Sequence, residues 1–241
     1  MKSENLASRV IVALDVDTLE QARELVSELR PYFRIFKVGH QLFTHYGVQA
    51  VEMVKELGGE VFLDLKFHDI PETVARACEE ATRHQAFLLT IHALGGREMI
   101  QRAAEQTRMA AEKFRVRKPL VMSVTILTSL NQEEIKEIGI DLPLKNVISQ
   151  LAKISQEAGA DGVIASAHEV ALIKEACGKD FFVVTPGIRP AFASAHDQKR
   201  IATPKEAFQA GADYIVIGRP ITQAKDPGEA AESLIEELRE S

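Results

Sequence analysis

Cysteine is scarce in this chain: only Cys78 and Cys177 occur among 241 residues. They form no C-x-x-C pair, which excludes a disulfide framework or a zinc knuckle, and two inert, reduced thiols are expected. An excess of positive charge is lacking too. The formal net charge of -6 repels polyanions at long range, so neither nucleic acid nor an anionic membrane is an expected partner, whereas a small anionic substrate remains compatible. No apolar run approaches the ~18 residues needed to span a bilayer. Residues 1–9 carry no apolar segment of the signal-peptide kind, and a cytoplasmic protein is expected. The seven histidines show no H-E-x-x-H spacing, so no metal site is expected.

What is present is an ordinary globular composition, 46% hydrophobic and 27% charged, which excludes disorder. Short β-branched apolar runs recur at 10–14, 35–38, 61–65, 87–91, 121–127, 162–165, 181–184 and 214–217, each followed by a helical pattern. Nearly continuous apolarity suits strands covered on both faces, and so a parallel sheet. The segments Leu57-Gly58-Gly59, Ala158-Gly159-Ala160-Asp161 and Ala210-Gly211-Ala212-Asp213 each read as a helix end, a glycine and a new strand. Thr203-Pro204-Lys205-Glu206 reads as a capped helix start. Residues 128–151 should hold additional helix or loop, and 226–239 a final amphipathic helix. The expected architecture is α/β, a (β/α)8 TIM barrel forming one domain over residues 1–241. An open doubly wound sheet is the alternative, but it would usually carry fewer strands, and the G-x-G-x-x-G dinucleotide turn is absent.

The candidate strands end in residues that a packed core would not choose: Asp15, Lys37, Asp64 and Lys66, His92, Thr125 and Thr128, Ser166, Thr185, Gly218 and Arg219. In a barrel these ends converge on the C-terminal face, where active sites lie. Strict alternation puts Asp64 and Lys66 on one face of the third strand. Burying two ions is costly, which favours function over a structural ion pair, although the pair remains an alternative. Lys37 would reach the same cavity from the neighbouring strand, or snorkel to the surface. Asp69, just ahead of Pro71, could act in the site or simply cap a helix. Gly187-Ile188-Arg189 and Gly218-Arg219 fall in the seventh and eighth βα loops, where barrels often bind phosphate. The polar, weakly periodic stretch between Arg189 and Thr203 suggests a closing lid, or else a disordered loop.

Asp64-Leu65-Lys66-Phe67-His68-Asp69-Ile70-Pro71 resembles the signature of bacterial-type orotidine 5'-phosphate decarboxylases. The likeness extends to Ala13-Leu14-Asp15, Lys37-Val38-Gly39, Thr125-Ile126-Leu127-Thr128-Ser129, Thr185-Pro186-Gly187-Ile188-Arg189-Pro190, Asp197-Gln198 and Val216-Ile217-Gly218-Arg219-Pro220. It implies a cofactor-free decarboxylation of orotidine 5'-monophosphate, with Lys66 as proton donor in a network with Asp64, Asp69 and Lys37. It further implies ribose contacts from Asp15 and Lys37, a pyrimidine contact from Thr128, a substrate role for Asp64 and Pro186, and phosphate contacts from Arg189, Gln198, Gly218 and Arg219. Asp69 and Thr73 would serve the neighbouring subunit's site in a homodimer. The rival is a related metal-dependent barrel acting on sugar phosphates, which by the family pattern carries a carboxylate where this chain has Lys37; a cation there opposes a divalent ion. A non-catalytic nucleotide-binding barrel is the rival of a different class.

Overall fold

Alternate residues of each strand face opposite ways, and here both faces are apolar. Ile11, Ile35, Phe62, Leu88, Met122, Ile164, Val184 and Val216 form one buried cluster, while Val10, Val12, Val61, Leu63, Leu89, Val121, Val163, Ile215 and Ile217 belong to another, shared with helical residues. The first fills the inside of a cylinder and the second packs outward against helices. A computed structural model describes residues 6–193 and 202–239. Its strands are β1 (Val10–Ala13), β2 (Ile35–Gly39), β3 (Glu60–Phe67), β4 (Leu88–His92), β5 (Leu120–Val124), β6 (Gly162–Ile164), β7 (Phe182–Thr185) and β8 (Tyr214–Ile217). Each pairs in parallel with its sequence neighbour, and β1 closes on β8, so the sheet is a barrel rather than an open doubly wound sheet.

Helix α1 (Leu19–Leu29) follows β1, α2 (His40–Tyr46) and α3 (Val48–Glu56) follow β2, and α4 (Pro71–Arg83) follows β3. After β4 comes α5 (Gly96–Phe114), after β5 come α6 (Gln132–Glu137) and α7 (Leu144–Glu157), and after β6 comes α8 (Val170–Cys177). The chain ends with α9 (Pro204–Gln209) before β8, then α10 (Arg219–Thr222) and α11 (Pro227–Arg239). Among the described residues no helix is long and apolar enough to cross a membrane. Thr203 caps α9 through a complete capping box with Glu206, and Pro204 opens the helix, as the sequence indicates. The fifth strand is shorter than its apolar run suggests. It stops at Val124; Thr125 still donates its N–H and its hydroxyl to the Ile164 carbonyl, at 3.5 and 3.2 Å, and Ile126 to Thr128 then line a cavity at the strand ends.

The glycine-bearing joints repeat in three dimensions. Gly58, Gly159 and Gly211 all take positive φ, which a β-carbon would strain. After two of them an aspartate ties the new strand to its neighbour. The Asp161 carboxylate accepts the Val121 N–H at 2.8 Å and the Lys118 ammonium at 2.6 Å; Asp213 accepts the Val183 N–H and the Lys174 ammonium, each at 2.7 Å. These clamps lie at the strand starts, the end of the barrel opposite the polar residues. On the outer wall, α4 and α5 share a buried carboxylate, Glu79, which accepts from Arg76, Gln106 and Lys113. The adjacent Cys78 is buried, and burial pushes its thiol up to about 12, which keeps it protonated and unreactive.

Replacing Asp213 by Ala leaves the Val183 N–H without its acceptor and removes the counter-charge of the mostly buried Lys174 ammonium, which keeps only the Lys179 and Phe181 carbonyls. Hydrogen bonds to charged groups contribute about 2–3 kcal/mol, so thermal denaturation of Asp213→Ala should shift down by roughly 5–10 °C. A melting temperature equal to the parent's would remove this clamp from the stability of the barrel.

Candidate active site

The inward-facing positions of the first four strands change character towards the mouth. Ile11 and Ala13 lead to Asp15, Ile35 to Lys37, Phe62 to Asp64, and Leu88 to Thr90. The four side chains form a connected set. The Lys37 ammonium lies 2.9 Å from Asp15 Oδ1 and 3.8 Å from Asp64 Oδ2, and the Lys66 ammonium lies 2.9 Å from Asp64 Oδ1. Charges therefore alternate in the order Asp15, Lys37, Asp64, Lys66. The two inner members are the most withdrawn from solvent: the side chains of Lys37 and Asp64 are 12% and 14% exposed, against 29% for Lys66 and 51% for Asp15. A carboxylate so placed needs donors and counter-charge to offset its lost hydration, and Asp64 has them in hydrogen bonds from the Lys66 ammonium and the Thr90 hydroxyl and in the nearby Lys37 cation.

Strict alternation does not describe how Lys66 arrives there. Leu63 pairs with Leu89, but Phe67 pairs with Ile91, so β3 advances four residues while β4 advances two. Lys66 sits inside this bulge with φ 47°, a conformation that costs a non-glycine residue of order 1–3 kcal/mol and concentrates at functional sites. Its N–H, displaced from the regular ladder, donates to Thr90 Oγ1 at 2.8 Å. Asp64 and Lys66 thus meet through a bulge rather than through the regular alternation of a straight strand.

A cavity of about 160 Å³ opens beside this set, lined by Lys37, Asp64, Lys66, Thr128 and Pro186 together with apolar Phe62, Ile126, Leu127 and Val216. A second cleft, of about 400 Å³, is bordered by Arg189, Arg219 and Pro220 from the seventh and eighth loops. Arg189 is buried and Arg219 half-buried. Gly187 has φ 81° and Gly218 closes the loop before α10, its α-carbon so near β1 that an added β-carbon would stand 3.4 Å from that of Ala13. The Arg189 N–H donates to the Ala202 carbonyl at 2.9 Å, which brings the two ends of the expected lid together. Gln198, Asp197 and most of that lid lie outside the described residues.

Not every expected residue converges. Asp69 is exposed and its carboxylate accepts its own neighbour's N–H, that of Ile70; among the described residues it forms no ion pair with Lys66. Thr73 is exposed on the first turn of α4. Thr125, Ser166 and Thr185 are fully or almost fully buried and absent from the cavity lining: Thr125 and Ser166 bond to nearby backbone, and the Thr185 hydroxyl has no hydrogen-bond partner among the described residues. Two residues beside the site have no chemical signature in the sequence. Thr90 was legible only as the middle of the Leu88, Thr90, His92 alternation. His92 stacks on His68, with ring centroids 5.1 Å apart and planes 17° apart, which ties the fourth βα loop to the third. Among the described residues no group of three or more His, Cys, Asp or Glu side chains could hold a metal ion.

A model of the orotidine 5'-phosphate decarboxylase / HUMPS family matches residues 8–234. The chain belongs to this family. It is 50% identical to the orotidine 5'-phosphate decarboxylase of Geotalea uraniireducens (strain Rf4) over 238 residues, 99% of this chain and 98% of that protein. It is likewise 50% identical over 230 residues to the enzyme of that name from Syntrophotalea carbinolica, covering 95% and 94% of the two chains. Among solved structures, orotidine 5'-phosphate decarboxylase from Lactobacillus acidophilus superposes with a TM-score of 0.83 at 39% identity, covering 96% of this chain and 99% of that one. The family resemblance and the barrel expected from the sequence both hold.

Burial first, then the charges of His68 and Lys66, pushes His92 down to about 4, and its ring accepts the Leu94 N–H at 3.4 Å. A histidine whose folded value lies below the ordinary 6.5 contributes stability that is complete above about pH 6.5 and is lost as the pH falls towards 4. Melting temperatures recorded across that window should decline less steeply in His92→Phe than in the parent. Parallel declines would mean that His92 is not a source of the acid sensitivity.

Proposed function

We propose that the chain decarboxylates orotidine 5'-monophosphate to uridine 5'-monophosphate, in pyrimidine biosynthesis, with Lys66 as the proton donor. The observation that carries this reading is the alternating set Asp15, Lys37, Asp64, Lys66, which ends in an ammonium at a cavity beside Thr128 and Pro186. Breaking the bond between C6 and the carboxylate leaves an electron pair on C6 in the ring plane, where the π system cannot delocalise it. Stabilisation must then be electrostatic, from charge oriented before the reaction begins. The Lys66 ammonium supplies that charge, and one of its protons passes to C6 as carbon dioxide departs. Asp64 holds Lys66 and stands near the departing carboxylate; any ground-state stress it adds ranks below preorganisation.

Asp15 and Lys37 bind the ribose hydroxyls, and Thr128 and Pro186 border the pyrimidine. Arg189, Arg219, Gly218 and Gln198 hold the phosphate, whose binding energy is expressed at the transition state. The reading is supported by the cleft that Arg189 and Arg219 share. Asp69 and Thr73 complete the site of a second copy in a homodimer. Their exposure supports this, as does that of Ile70 and Leu94, which are 67% and 44% exposed on the two loops joined by the histidine stack. A cytoplasmic location accords with such a biosynthetic role.

Incubation with orotidine 5'-monophosphate should change its ultraviolet absorbance as the pyrimidine loses its carboxylate, at a rate unaffected by chelator. No change would end the assignment, and chelator-sensitive turnover of a sugar phosphate instead would favour the other branch of the family, against which the Lys37 cation argues. In Lys66→Ala, single-turnover decarboxylation should fall by at least ~10³-fold with binding of uridine 5'-monophosphate retained. Near-parental chemistry would remove Lys66 from the reaction. Separately, Lys66→Ala and Asp69→Ala subunits should each be inactive alone and regain activity on mixing and re-equilibration, since one site of a mixed dimer is then intact. Mixtures as inactive as their components would contradict a shared site.

A further inference from the structure

Thr90 is fully buried inside the barrel, at a level where its β4 neighbour Leu88 and the facing positions of β5 and β6, Met122 and Ile164, are apolar. A hydroxyl there is unfavourable unless its hydrogen bonds are made within the protein. Both go to one place. Thr90 Oγ1 accepts the Lys66 N–H at 2.8 Å and donates to Asp64 Oδ1 at 3.0 Å, the same carboxylate oxygen that meets the Lys66 ammonium at 2.9 Å. One oxygen therefore touches the backbone of Lys66 and the carboxylate that anchors its side chain. The bulge explains the need: with the register slipped between Leu63 and Phe67, the Lys66 N–H requires a substitute acceptor, and its positive φ persists only if neighbours hold it.

We propose that Thr90 is a positioning residue for the decarboxylation: its hydroxyl fixes the left-handed backbone of Lys66 and the rotation of the Asp64 carboxylate together, so that the ammonium is held in one place through the reaction. This rests on the reading of Lys66 as proton donor. Thr90 is fully buried and is not among the residues that line the cavity, so it acts through Asp64 and Lys66 rather than on substrate.

Thr90→Val keeps the branched shape and removes the hydroxyl; Thr90→Ser keeps the hydroxyl and removes the methyl. Steady-state decarboxylation of orotidine 5'-monophosphate by the full-length parent and both variants separates the readings. A parent without turnover sinks the proposed function, and this role with it. With an active parent, Thr90→Val should lose at least ~100-fold in kcat, the scale on which a small misplacement of a reacting group acts, with KM and uridine 5'-monophosphate affinity within about 3-fold. Thr90→Ser should stay within about 5-fold of the parent in kcat. Parental kcat in Thr90→Val, or equal losses in the two variants, would overturn the role of the hydroxyl while leaving the function standing. If Thr90→Val does not fold, Thr90→Ala carries the same expectation, again judged against Thr90→Ser.

Discussion

The site is organised around a carboxylate that the fold withdraws from water and then surrounds with donors. Asp64 sits between two ammonium groups, 2.9 Å from Lys66 and 3.8 Å from Lys37, and also receives the Thr90 hydroxyl. Without it, two like charges would face each other across a small, largely apolar cavity; without them, it would be an uncompensated buried ion. Each member is tolerable only because the others are present. The set is consequently rigid, and rigidity is what electrostatic stabilisation of a developing charge demands.

A closed barrel suits this demand because it separates the sources of stability from those of chemistry. The starts of the strands are fastened by Asp161 and Asp213, each joining a strand N–H to a lysine. The interior is filled by apolar layers such as Ile11, Ile35, Phe62 and Leu88. The charges of the candidate site stand above these layers, at the ends of strands whose earlier residues are already fixed by packing. The strain at Lys66 is therefore borne by neighbours committed to their positions by packing, and the bulge in β3 is held by β4 rather than by the loop that follows.

Much of this was legible in the residues. Eight apolar runs alternating with helical patterns, and three repeated glycine joints, indicated the barrel over an open doubly wound sheet. The polar strand ends indicated which rim carries the chemistry, and Asp64, Lys66, Lys37, Thr128 and Pro186 do share one cavity. The register slip was not legible. Leu65-Lys66-Phe67 reads equally well as regular strand, since the extra residues show only in the pairing with β4. Thr125, Ser166 and Thr185 misled for the complementary reason: a hydroxyl at a strand end can turn to the backbone or the helix layer as easily as to the mouth.

By itself the sequence determined the order of elements, the faces they bury, the family signature at 64–71 and the sign of each charge near the mouth. These depend on local periodicity and side-chain chemistry, which do not need the partners to be known. The tertiary structure alone decided that Thr90 meets both Lys66 and Asp64, that His92 stacks on His68 and is held neutral, and that Asp69 and Thr73 remain exposed. Each of these depends on distances between segments that are remote along the chain, or on how deeply a group is buried, and neither quantity exists until the barrel has closed.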